Sequence, residues 1–142
     1  MLMYAPGGGV ETIGVSLFLN HMFVGTEGGR TGPIRLFPFW PSAEPGAFGR
    51  LLTKGGWEVS AAWNNATLSV VSPVTVQAKH TLLGAPFATA RLADPWGDAA
   101  ADVTCGGAAT PSAWSGTGVV KVLSWRAPLQ VDCLVAHAGA RY

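Results

Sequence analysis

The sequence predicts a mainly β protein: a β-sandwich preceded by one buried α-helix. Between Lys54 and Tyr142, short apolar runs alternate with turn residues, which indicates roughly seven or eight strands. The chain of 142 residues holds 19 Gly and 10 Pro, more than average usage and typical of a fold with many turns. Hydrophobic residues make up 49% of the chain, which is enough to build a core and too apolar for a disordered protein.

The helix is predicted from Val10 to Val24. Apolar residues at helical spacing form one face, and further apolar residues fill most of the other face. A helix that is apolar nearly all round is a buried helix, and about 15 residues are too few to span a bilayer. Gly25 and the pair Gly28-Gly29 are expected to end it. Since no other amphipathic helix is recognisable, either the β-rich remainder surrounds this helix or its partners lie outside this sequence.

A proline-bounded corner follows the helix. Ile34 to Phe37 is predicted to be a short strand, closed by Pro38-Phe39-Trp40-Pro41. The prolines exclude a long central strand and make the corner rigid. We interpret its aromatic side chains as packing between two units rather than as an exposed ligand platform.

The clearest hairpin pairs Trp57–Trp63 with Thr67–Val71 through a turn at Asn64-Asn65. The segment from Asp94 to Asp98 has strong turn chemistry. Further strands are predicted at Val74–Ala78, Phe87–Leu92, Val103–Cys105, Val119–Trp125 and Gln130–Val135.

Charge and hydropathy exclude two classes of partner. The net charge is +1 and the nine basic residues are scattered, whereas nucleic-acid binding needs clustered Lys and Arg. No apolar run reaches the roughly 18–20 residues of a membrane span. We therefore expect neither a nucleic-acid nor a membrane partner. Met1–Pro6 has none of the features of a signal peptide.

Motifs for cofactor, metal or nucleophile chemistry are not recognisable. His21, His80 and His137 are far apart and lack neighbouring ligands, so we predict no metal and no cofactor. Cys105 and Cys133 can be two buried thiols or one disulfide, and the sequence leaves both open. Asn65-Ala66-Thr67 is a glycosylation sequon, meaningful only in a secreted eukaryotic protein.

Among the carboxylates, Glu11 is the one acid in a strongly apolar, Gly-flanked setting. Glycoside hydrolysis uses two carboxyl groups at a fixed separation, one of them often with a raised pKa. The alternative for Glu11 is a residue that compensates the helix dipole in the first turn. Asp94, Asp98 and Asp102 lie in an evident loop and are expected to be solvated turn formers. Calcium binding through their oxygens is the alternative, but their spacing does not match the EF-hand loop.

Four segments together resemble a known family. They are Gly7–Val15, Gly32–Pro41 with its Ile-Arg-Leu-Phe-Pro-Phe-Trp-Pro run, the stretch around Phe48 to Leu51, and Gly55–Ala61. Their order resembles the end of the catalytic domain and the start of the C-terminal β-domain in glycoside hydrolase family 95. These are α-L-fucosidase-like enzymes with an (α/α)6 barrel. The resemblance covers about Gly7 to Val71, and Val24–Glu27 departs from the family pattern.

The resemblance implies that residues 1–31 are the last helix of a truncated catalytic barrel and residues 32–142 the C-terminal β-sandwich. Met1 is then expected to be an artefact of a truncated gene model or an incomplete read. Glu11 falls within about a residue of an acidic position that assists the base in some members, which makes it the candidate catalytic residue. The family's general acid lies upstream, so the chain alone is expected to be inactive.

The partners so implied are the upstream barrel and, through the parent enzyme, carbohydrate. Export as part of the parent enzyme follows from the same resemblance. The sandwich would cover the barrel, with Phe37, Phe39 and Trp40 at the junction.

The alternative is a free-standing carbohydrate-binding β-sandwich. Such a module needs two or three exposed tryptophans on one face, and Trp57 and Trp63 would share a face in an unbroken strand. A structural domain would bury its tryptophans instead. A sandwich with an unrelated structural role is a third possibility.

Overall fold

The computed structural model describes residues 18–26, 31–53, 55–80, 85–116 and 120–138. Over these residues a short helix, α1, at residues 18–23 precedes two β-sheets packed as a sandwich. No helix in the described ranges is long and apolar enough to cross a membrane. The strands in chain order are β1 (Val24–Thr26), β2 (Ile34–Leu36), β3 (Gly46–Leu52), β4 (Trp57–Asn64), β5 (Ser69–Ala78), β6 (Phe87–Ala93), β7 (Ala101–Cys105), β8 (Ala108–Ala109), β9 (Ser112–Ser115), β10 (Val122–Pro128) and β11 (Asp132–His137).

The first sheet has five strands in the order β1-β2-β6-β10-β9, and the second has six in the order β3-β4-β5-β11-β7-β8. The pairing of β2 with β6, through Ile34 opposite Leu92, is parallel. The other strand pairs are antiparallel. The mainly β sandwich predicted from the turn-rich sequence is therefore confirmed.

The core lies between the sheets and draws on both. Strand residues alternate between this interface and solvent, as the pleat requires. The largest fully buried side chains are Ile34, Leu92 and Leu123 from the five-stranded sheet, and Val59, Val74, Val76, Cys133 and Val135 from the six-stranded sheet.

The predicted hairpin is present as β4 and β5. The Asn64 side-chain oxygen accepts hydrogen bonds from the backbone N–H groups of Ala66 and Thr67, at 2.9 and 3.4 Å. This Asn side chain organises the turn through its neighbouring backbone amides. The segments predicted as two strands on either side of Pro73 form the single strand β5, with a cis Ser72–Pro73 peptide bond.

The helix prediction needs two corrections. Val24, expected in the helix, begins β1, and Gly25, expected to end the helix, lies inside that strand. The helix was also expected to be buried, yet Phe18 and Leu19 are 64% and 43% exposed. The reason is that the sandwich covers this segment only near Phe23, which packs against the core, and the described residues include no other helix to cover it. Residues 10–17 and the pair Gly28-Gly29 lie outside the described residues.

The two cysteines form a disulfide. Cys105 in β7 and Cys133 in β11 face each other in register, and their sulfur atoms are bonded. The bond therefore joins neighbouring strands within the six-stranded sheet, and Cys133 is fully buried in the core.

Candidate functional site

An aromatic cluster holds the end of α1 against the six-stranded sheet. The Phe23 ring stacks on Trp40, with ring centroids 4.6 Å apart. Phe37 lies 5.4 Å from Phe48 of β3 and 6.0 Å from Trp63 of β4. Because aromatic pairs at these separations add to the energy of burial, the proline-bounded corner is packed against both the helix and the sheet.

The loop after this corner, residues 41–45, is held by side-chain donors. The Trp40 indole N–H donates to the Glu44 carbonyl at 2.9 Å, and the Trp63 indole N–H donates to the Ser42 carbonyl at 3.2 Å. The Asn65 side-chain amide donates to the Ala43 carbonyl at 3.0 Å. Three consecutive backbone carbonyls thus accept hydrogen bonds from side chains of the corner, of β4 and of the β4–β5 turn. These three hydrogen bonds hold the loop in place.

Of the three aromatic residues expected at the junction, two pack inward and one faces solvent. Phe37 is buried and Trp40 is half-buried, and both belong to the aromatic cluster. Phe39, between them in sequence, is 74% exposed. A rigid corner therefore presents one large aromatic ring to solvent while its neighbours anchor it.

A groove of about 620 Å³ lies beside Phe39. Its walls include Asn20 and His21 from α1, Thr53 after β3, and Asp94 after β6. The Thr53 hydroxyl is buried without a hydrogen-bond partner, which is unusual because buried polar groups are nearly always paired. The groove therefore combines an apolar rim with polar groups from three parts of the chain.

Two exposed apolar side chains line the groove, and two more exposed apolar residues belong to α1. Phe39 and Leu52 line the groove and are 74% and 62% exposed. Phe18 and Leu19 precede the two groove residues of α1 directly in sequence. We call the two groove residues, Phe39 and Leu52, the apolar patch. Scattered exposed apolar residues are normal, whereas a group of large ones marks an interaction surface.

Sequence reasoning did not single out Leu52. The signal was the adjacent pair Leu51-Leu52, because successive strand residues face opposite sides of a sheet and one of the two must leave the core.

None of the six tryptophans, all within the described residues, is exposed. Trp57 and Trp125 are buried, and the others are half-buried. The pairing of β4 with β5 shifts register between Ser60 and Ala62, so the strand from Trp57 to Trp63 is irregular rather than unbroken. Both tryptophan side chains pack on the core. The exposed tryptophan row that a carbohydrate-binding module requires is not formed.

Two of the described acids, Asp94 and Asp98, form hydrogen bonds within the fold. The Asp94 carboxylate accepts hydrogen bonds from the backbone N–H groups of Trp96, Gly97 and Ala99, at 3.0, 3.0 and 2.7 Å. Asp98 pairs with His137 at 2.7 Å, and this hydrogen bond lowers the pKa of Asp98, opposite to the raised pKa of a glycosidase acid. The candidate catalytic residue Glu11 lies outside the described residues. No group of three or more potential metal ligands occurs among the described residues.

Searches of family models, curated proteins and solved structures found no match to this chain. The function is therefore argued from the apolar patch, the groove beside it and the burial of the tryptophans.

Proposed function

We propose that the chain is the closing helix and C-terminal β-sandwich of an α-L-fucosidase-like glycoside hydrolase. Its role there is structural, and it has no glycosidase activity of its own. The observation that carries the proposal is the apolar patch, because Phe39 and Leu52 remain exposed at the groove beside a rigid corner. The aromatic character of that corner is also what the resemblance places at the junction with a barrel.

The energetics favour a covering partner. Full burial of a Phe or Leu side chain stabilises by about 1.5–3 kcal/mol relative to leaving it exposed. The backbone around Phe39 is held by its buried neighbour Phe37 and its half-buried neighbour Trp40, so little backbone freedom remains to be lost when Phe39 is covered. An upstream helical barrel that supplies apolar neighbours on this side would bury the patch. In that parent enzyme Glu11 is the candidate catalytic residue.

The disulfide supports the part of the proposal that concerns location. Disulfides persist in oxidising compartments and are rare in the cytosol. Because Cys105 and Cys133 are bonded, we propose that the parent enzyme is exported.

A free-standing carbohydrate-binding module is the second candidate. The groove favours it, since Phe39 offers an exposed ring and the Thr53 hydroxyl is unpartnered. The tryptophans weigh against it, because every one of them is at least half-buried.

The size of the native polypeptide tests the proposal directly. An antibody raised against the purified chain would be used to blot extracts of the source organism. A species far larger than 14.7 kDa is expected, and its purification would allow assay of fucosidase activity. A native species of 14.7 kDa would contradict the proposal and leave the binding module as the leading candidate.

A second test concerns the apolar patch itself. The double variant Phe39→Ser/Leu52→Ser is expected to self-associate less than the unmodified chain in analytical ultracentrifugation, with an unchanged free energy of unfolding. Leu68→Ser is the matched control, because Leu68 is 59% exposed in the β4–β5 turn. Equal effects of the two changes would argue against a specific interaction surface.

A further inference from the structure

The turn of the β4–β5 hairpin carries the one N-glycosylation sequon of the chain. Asn65-Ala66-Thr67 occupies the first three positions of the turn at residues 65–68 that joins the two strands. The strand pair next to this turn is Asn64 with Ser69. Asn65 therefore begins a short turn whose two ends are fixed by strand pairing.

The sequon lies on the surface. Asn65, Ala66 and Thr67 are all exposed, as a bulky and hydrated glycan requires. The backbone of the turn is held by the preceding residue, because the Asn64 side-chain oxygen accepts hydrogen bonds from the N–H groups of Ala66 and Thr67. Modification of the Asn65 side chain leaves these hydrogen bonds in place.

The side-chain nitrogen of Asn65 has a hydrogen to spare. Nδ2 donates to the Ala43 carbonyl at 3.0 Å. A carboxamide nitrogen carries two hydrogens, and a bond to a sugar replaces one of them. The modified side chain therefore keeps one N–H for a hydrogen bond to the loop at residues 41–45.

The disulfide is an independent indication of the compartment in which the chain folds. Cys105 and Cys133 are bonded, and Cys133 is fully buried in the core. Disulfides form in oxidising compartments such as the lumen of the endoplasmic reticulum and are rare in the cytosol. In eukaryotes the same lumen is where Asn side chains of secreted proteins are glycosylated. The sequon and the disulfide thus agree on one pathway.

An exposed apolar residue closes the same turn. Leu68 is 59% exposed and directly precedes Ser69, the partner of Asn64 in the strand pairing. Asn65 and Leu68 are therefore the first and last residues of the turn. A hydrated glycan on Asn65 would stand next to Leu68 and make this end of the hairpin more soluble.

We propose that Asn65 is an N-glycosylation site, modified in the secretory pathway of a eukaryote. The donor is an oligosaccharide linked to a lipid diphosphate. A bond forms between Nδ2 of Asn65 and the anomeric carbon of the first sugar, while the bond from that carbon to the diphosphate oxygen breaks. The lipid diphosphate leaves with the electron pair, and the amide nitrogen loses one proton. The inference rests on the export in the proposed function and not on its glycosidase role.

The native protein tests the proposal. It would be purified from the source organism with an antibody against the chain and treated with peptide N-glycosidase F in isotopically labelled water. This enzyme converts a glycosylated asparagine to an aspartate that carries the label. Peptide mass spectrometry is expected to find labelled aspartate in place of Asn65. Unmodified Asn65 in the native protein would overturn the proposal and show that the tripeptide occurs by chance.

The size of the deglycosylated polypeptide separates this inference from the proposed function. A labelled site on a polypeptide of 14.7 kDa would support the glycosylation site and contradict the parent enzyme. A far larger polypeptide with unmodified Asn65 would overturn the glycosylation site alone.

Secretion of the full chain from cultured eukaryotic cells tests the individual residues. The unmodified sequence is expected to lose mass on treatment with peptide N-glycosidase F, whereas Asn65→Gln and Thr67→Ala are each expected to lose none. Thr67→Ser is the matched control, because it keeps the hydroxyl that the sequon requires and should keep the loss of mass. A loss of mass that persists in Asn65→Gln, or none in the unmodified sequence, would overturn the assignment.

Discussion

The indole of Trp40 stacks on the ring of Phe23 with an interplanar angle of 23°. Phe23 is the last residue of α1, and Trp40 belongs to the proline-bounded corner. The backbone N–H of Phe37 also donates to the Phe23 carbonyl at 2.7 Å. Ring stacking and a backbone hydrogen bond thus connect the helix to the corner at the same point.

Gly46→Ala is expected to disturb this contact. A Cβ atom at Gly46 would lie 2.7 Å from Cε2 of Trp40, closer than carbon atoms approach without displacement. Overpacking of this kind costs about 1–3 kcal/mol, and urea unfolding would measure it. Gly49→Ala, in the same strand, is the control because a Cβ there meets no atom within 4 Å. Equal stability of the two variants would contradict the importance of this contact.

Asp94→Ala is expected to destabilise the β6–β7 connection. The Asp94 carboxylate accepts hydrogen bonds from three backbone N–H groups. Removal of this acceptor leaves those N–H groups without their partner, which costs about 1–3 kcal/mol. The melting temperature measures the effect. Asp102→Ala is the control, because Asp102 is exposed on β7. A comparable loss in Asp102→Ala would show that the change in net charge, and not the loop hydrogen bonds, sets the stability.

Acid is expected to weaken the link between Asp98 and His137. The hydrogen bond from His137 lowers the pKa of Asp98 below its usual 3.8. A carboxyl with a lower pKa in the folded state contributes stability above its unfolded pKa and loses that contribution as the pH falls through the folded value. Carbon NMR of the Asp98 carboxyl should therefore show a midpoint below 3.8.

His137→Ala is expected to raise that midpoint, because the side-chain hydrogen bond is the largest cause of the shift. His80→Ala, which removes an exposed imidazole away from Asp98, should leave it unchanged. An unchanged midpoint in His137→Ala would rule out the hydrogen bond as the cause.

Removal of the disulfide with the double variant Cys105→Ala/Cys133→Ala is expected to cost about 3–4 kcal/mol in the chain-entropy model. The bond closes a loop with a sequence separation of 28. Denaturant unfolding with and without dithiothreitol measures the effect. The reductant should destabilise the unmodified protein and leave the double variant unaffected. An equal response of both proteins would show that the reductant acts elsewhere.

Local patterns in the sequence predict part of this fold well. The hairpin of β4 and β5 follows from apolar runs flanking Asn64-Asn65, because turn and strand signals lie next to each other. Strands β6 and β11 were likewise expected within two residues of their observed starts. Strand β3 was not predicted, since Gly46 and Gly49 lower its strand propensity and its pairing with β4 supplies the missing stability.

The candidate site was less accessible to sequence reasoning. Phe37 and Trp40 were expected in a packed corner, and they lie there. The groove beside Phe39 brings together α1, β3 and the loop after β6, which are far apart in sequence. Contacts between segments so distant in sequence depend on the order and register of the strands, and no short stretch of sequence indicates either.

The position of the disulfide also determines how the domain would respond to mechanical force. A pull on the two ends of the chain cannot extend the segment between Cys105 and Cys133, since the bonded pair in adjacent strands carries the load across it. Reduction would release that segment and lengthen the stretched chain by roughly 95 Å, at about 3.4 Å per residue. The sheets themselves are joined by side-chain packing, so under force they can separate while the loop between the cysteines stays closed.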